Sequence, residues 1–136
     1  MMQNNPLPDV TAPSRAEVDA CWLALIDGRV SRSAVHEWTV KWVESESLWP
    51  IQDPMVRNAL QHLHGFDLVS VPGQPGTVRH SLSGPYLRSL FQVAQEYKEW
   101  RRNCDVYDAD PEGYMRSAKE RARREMAHLE AREDDS

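Results

Sequence analysis

Apolar residues recur at helical spacing in four stretches of this chain. Val18, Cys21, Trp22, Leu25 and Ile26 stand at i, i+3, i+4, i+7 and i+8, which lays one apolar stripe along a helix. Ser14 and Glu17 form a capping box ahead of it, and Gly28 closes it because glycine takes a left-handed backbone freely. Val35, Trp38 and Trp42 make a second stripe, flanked by Thr39 and Val43. Ser31 caps that helix, and Val30 before the cap faces Val35 as a hydrophobic staple. The like charges of Glu44 and Glu46, followed by Trp49-Pro50, end it. Asp53 caps a third helix, with Pro54 at the first helical position, where no N–H is needed, and Gly65 as the stop. Its inward face is Met55 or Val56, Ala59, Leu60 and Leu63, and Phe66 is expected to fold back on Leu60 in a Schellman closure.

Between residues 68 and 85 the helical period is lost. Two short apolar runs around Pro72-Gly73-Gln74-Pro75-Gly76 predict a β-hairpin or an ordered loop, which needs helices to pack on. A fourth helix begins near Ser89 and carries Leu90, Val93, Ala94, Tyr97, Trp100 and Cys104 on one face. The acidic stretch 105–110 reads as a boundary, and Asp110-Pro111 opens a polar helix over 112–132. Met115, Ala118, Ala122, Met126 and Leu129 form only a thin stripe there, suited to an oligomer seam. The predicted class is mainly α: a compact four-helix domain over 14–104, with a short β-hairpin or ordered loop between helices 3 and 4. A flexible arm precedes it (1–13, with three prolines), and an acidic linker with a charged C-terminal helix follows (105–136).

Composition adds limits. The chain has 136 residues, 40% hydrophobic and 27% charged, enough for one domain with a core. A net charge of -5 disfavours non-specific binding to nucleic acid or anionic lipid. Six Lys+Arg against ten Asp+Glu after Cys104 carry most of that excess. The apolar run 20–26 is too short to cross a bilayer, and the first ten residues lack the basic start and apolar stretch of a secretory leader. The expectation is a cytoplasmic chain without membrane contact, with Cys21 and Cys104 as buried free thiols.

Candidate chemistry is sparse. His62 and His64 are two apart on a helix, so they point about 200° away from each other and cannot chelate one ion. They read as residues that complement the helix dipole. His36 and His80 have no partner at ligand spacing and are taken as surface or rim residues. Asp108, Asp110, Glu112 and Gly113 imitate half of a calcium loop, but Lys119 stands where the bidentate glutamate belongs. No nucleophile, base and orienting group stand together, so no enzyme, metal or cofactor is expected. What remains is an acidic joint: Glu37, Glu44, Glu46 and Asp53 with an exposed Trp49 form a candidate contact surface for a basic protein partner.

Trp38, Trp42-Val43, Asp53-Pro54, Val56, Ala59-Leu60, Leu63, Gly65, Asp67, Tyr86-Leu87, Tyr97 and Trp100 follow one pattern over about residues 15–104. In it the chain resembles small bacterial helical proteins of the antitoxin or immunity type. That resemblance implies a non-catalytic module that neutralises a toxin by direct binding, the partner being a basic toxin domain. The alternative is a homo-oligomeric scaffold subunit assembled through the C-terminal helix, and the third choice a small enzyme with an unrecognised site.

Overall fold

The computed structural model describes residues 12–44 and 51–134. The described residues form α1 (Arg15–Ile26), α2 (Arg32–Val43), α3 (Pro54–His64), β1 (Leu68–Ser70), β2 (Val78–His80), α4 (Leu90–Ala109) and α5 (Pro111–Asp134). The chain is thus mainly helical with an antiparallel two-stranded hairpin between α3 and α4. Five helices stand among the described residues, counting the charged C-terminal one that the expected four-helix domain left outside itself. The expected arm at 1–11, the acidic joint 45–50 with Glu46 and Trp49, and residues 135–136 lie outside the described residues.

The helix starts follow local chemistry. Ser14 and Glu17 form the reciprocal capping box of α1, the Ser31 hydroxyl accepts from the Ala34 amide, and the Asp53 carboxylate accepts from the Met55 amide. Gly28 ends α1 at a φ of 76°, in the left-handed region. Gly65 departs from the Schellman expectation: it stays at a φ of -92° and closes α3 by tight turns, its amide donating to His62 O and the Phe66 amide to Leu63 O. Phe66 is nevertheless buried. α4 also runs past Cys104 to Ala109, because residues 105–109 contain acidic side chains but no backbone breaker until Asp110-Pro111.

Two compact units are present, residues 1–98 and 99–136. In the first, α1, α2 and α3 pack together around Val18, Trp22, Leu25, Val35, Met55 and Leu60. The Trp22 indole N–H donates to the Val93 carbonyl at 3.1 Å, which ties α1 to the start of α4. Phe66 and Tyr97 stand edgewise or tilted against the Trp22 ring, and the Tyr97 hydroxyl donates to Asp19 at 2.6 Å. Trp100 and Trp42 are also buried, as the helical spacing predicts, while Trp38 is half-buried. Cys104 is buried, whereas Cys21 is only partly so, and burial pushes its thiol above the ordinary range.

The hairpin pairs Leu68 with His80, Val69 with Arg79 and Ser70 with Val78. It is anchored from its flanks. The Ser81 amide donates to Asp67 O, and the Leu87 amide donates to Leu68 O. Arg32 donates to both Phe66 O and Arg88 O while its guanidinium stacks on Tyr86. A Trp22→Phe substitution removes the indole N–H and part of the ring; it is expected to cost about 1–3 kcal/mol, read as a lower urea midpoint at unchanged slope.

Candidate metal centre

Three elements deliver three histidines to one place. His36 lies on α2, His64 is the last residue of α3, and His80 ends β2. Their ring centroids are 4.0 Å apart for His36 and His80, 4.4 Å for His36 and His64, and 4.8 Å for His64 and His80. Glu44, the residue that terminates α2, completes the group: its Oε2 lies 2.6 Å from His64 Nε2 and 3.6 Å from His36 Nε2. One ligand atom from each of the four residues lies within 4.8 Å of the others.

Contacts behind the rings set their orientation. His36 Nδ1 lies 3.0 Å from the His64 carbonyl, which can only accept, so that nitrogen carries the proton. His80 Nδ1 lies 2.5 Å from Asp67 Oδ1 and donates to it in the same way. In their neutral forms both rings therefore present Nε2 as a lone pair, the tautomer a metal needs, with the other nitrogen held by an oxygen acceptor. Asp67 is the buried member of the group, its side chain 4% exposed, and Oδ1 also lies 3.6 Å from His36 Nδ1. His36 and His64 are 14% and 15% exposed, His80 38% and Glu44 47%, so the group is closed on the protein side and open at Glu44.

Three imidazole nitrogens and one carboxylate oxygen suit borderline divalent ions such as zinc, and fall short of the six or more oxygens calcium requires. Tetrahedral bonds of about 2.0–2.1 Å place donors roughly 3.3 Å apart, so an ion would draw the most distant donors together and part His64 Nε2 from Glu44 Oε2, now 2.6 Å apart. The field at the group is already felt by Glu44. The hydrogen bond from His64 holds its carboxyl below the ordinary range against partial desolvation, and the charges of His64, His36 and His80 add to that.

The sequence left His36 and His80 as separate rim residues; folding brings them together with His64. The opposed directions of His62 and His64 hold. His62 turns to the other side of α3, where its Nδ1 lies 2.8 Å from Glu96 Oε1, and Arg88 Nε donates to Glu96 Oε2 at 2.6 Å. Those three residues line a separate cleft of about 260 Å³. Of the acidic contact surface, Glu37 is exposed on α2, Glu44 belongs to the histidine group, and Asp53 caps α3 while accepting from Arg15 at 2.7 Å. Asp110 accepts from the Gly113 amide, the helix-capping role, where the calcium-loop pattern had drawn attention to it. On α5, Met115, Ala122, Met126 and Leu129 are exposed and Ala118 is half-buried.

No protein-family model, curated protein or solved structure matches this chain.

Because the Glu44 carboxyl is depressed in the folded state, its stabilisation is present above the ordinary carboxylate range and disappears as pH falls through the depressed value. Glu44→Gln is therefore expected to lower stability modestly at about pH 7 and to flatten its decline toward about pH 3. Urea midpoints of both proteins across that interval measure it; parallel curves would count against the His64–Glu44 bond.

Proposed function

We propose that this protein binds one divalent transition-metal ion, zinc being the type its donors suit best, between His36, Glu44, His64 and His80. The observation that carries this reading is the meeting of three imidazoles from α2, α3 and β2 beside a carboxylate, with their ligand atoms within 4.8 Å. The buried Asp67 supports it, because a carboxylate behind a ligating histidine is the usual means of fixing the ring and strengthening the donor. Calorimetric titration of the full chain with zinc is expected to give one equivalent. His64→Ala should weaken binding by at least about a hundredfold, while His62→Ala should bind as the unaltered protein does. Equal effects of the two substitutions would remove this reading.

A second reading, a protein-binding module of the antitoxin or immunity type, is favoured by a different observation. Leu87, Leu90 and Phe91 are all exposed within five residues at the start of α4, Phe91 most of all. An apolar cluster of that kind is a natural contact surface. Recovery of the same host proteins by the unaltered chain and by Phe91→Glu would refute a role for it; loss of a specific partner from the variant is the expected result.

A further inference from the structure

The four donors are not equivalent. His36 is held from behind by the His64 carbonyl and His80 by Asp67. His64 sits at the packed end of α3 with only 15% of its side chain exposed. Glu44 has no comparable anchor: its described contacts are to the histidines themselves, at 2.6 Å and 3.6 Å, and nearly half of the side chain faces solvent. It is the C-cap of α2, at a φ of -95° and ψ of 7°; its amide donates to Val40 O at 2.9 Å, so the backbone is held and only the side chain can swing away.

We propose that the ion is held by the three histidines and that Glu44 is its displaceable ligand, so that the solvent-side position accepts a water molecule or a small anion. The inference rests on the metal-binding reading and specifies its coordination. Chemistry favours this division. Three neutral imidazoles leave a divalent ion with its full charge of about +2, and a three-histidine set with one open position is how exchangeable zinc sites are built. Glu44 can neutralise one of those charges when bound. When displaced it stays within reach to accept a hydrogen bond from a metal-bound water, as it accepts one from His64 here. The buried Asp67 cannot leave in the same way, since His80 and His36 face it from β2 and α2 and its own backbone carbonyl is bonded to Ser81.

The test uses the full chain loaded with cobalt(II), whose visible absorption reports coordination. Glu44→Ala is expected to weaken cobalt binding by no more than about tenfold, whereas Asp67→Asn, which loosens His80 from behind, should weaken it by about 10–100-fold. Added azide should shift the bands of the unaltered protein, and should do so at lower concentration in Glu44→Ala. Loss of binding in Glu44→Ala beyond about a hundredfold, reproduced in Glu44→Gln with an unchanged far-ultraviolet spectrum, would overturn the proposal in favour of a closed four-ligand site. Bands indifferent to azide in both proteins would overturn it too, while leaving the metal centre itself intact. Failure of the unaltered chain to bind zinc or cobalt at all would overturn both.

Discussion

A carboxylate placed in a protein interior must be paired, and the arrangement around Asp67 follows from that requirement. Asp67 lies three residues past the end of α3, where the chain turns into β1, and its side chain is almost fully buried. His80 from β2 meets it at 2.5 Å and His36 from α2 approaches to 3.6 Å. One buried acid thus links two helices and the far strand of the hairpin. A hairpin of three-residue strands is marginal by itself. Here it is held at Asp67 through side chain and backbone, at Leu68 through Leu87, and at Phe66 and Arg88 through Arg32.

The apolar core fixes the frame on which this happens. Leu60 and Leu63 of α3 are fully buried, and the same helix presents His62 on one side and His64 on the other. The Trp22 ring stands 5.4 Å from His62, so the face of α3 toward α1 and α4 is aromatic, while the face toward α2 and the hairpin carries the histidine group. A helix gives two residues two positions apart nearly opposite directions. That geometry argues against a chelate between His62 and His64, and it is also what sends His64 alone into the histidine group.

Local features were legible in the chain because their causes are local. Ser14 with Glu17, Ser31, and Asp53 with Pro54 each set a helix start within four residues, and the structure repeats them. The apolar spacing likewise located Trp22, Leu60 and Val93 in the interior. The histidine group was not legible. His36, His64 and His80 belong to three elements, and no short spacing links them; only the α2–α3 packing and the register that sets Leu68 opposite His80 bring them together. A weak signal did exist in Asp67, an acid directly after the buried Phe66 and before the apolar run of β1. An acid in such a position needs a partner from elsewhere in the fold. Glu44 was noticed for its charge alone, as part of an acidic contact surface, because its hydrogen-bond partner lies twenty positions away on another helix.

The same atoms that would bind a metal also bind protons, and this links stability, acidity and ligand binding in one group. Without an ion, His64 donates a hydrogen bond from Nε2 to Glu44, whereas His36 and His80 hold a proton on Nδ1, the nitrogen turned away from the group. An ion at His64 Nε2 would have to displace the proton there, which a neutral imidazole can carry on Nδ1 instead, and would replace one hydrogen bond with two coordinate bonds. Acid acts in the opposite direction by charging the imidazoles and neutralising Glu44. Asp67 acts by position: it accepts the His80 Nδ1 hydrogen bond and so leaves Nε2 as the nitrogen turned to the group. The buried carboxylate that holds the hairpin is therefore also the group that aims the centre, and a change at Asp67 cannot affect one without the other.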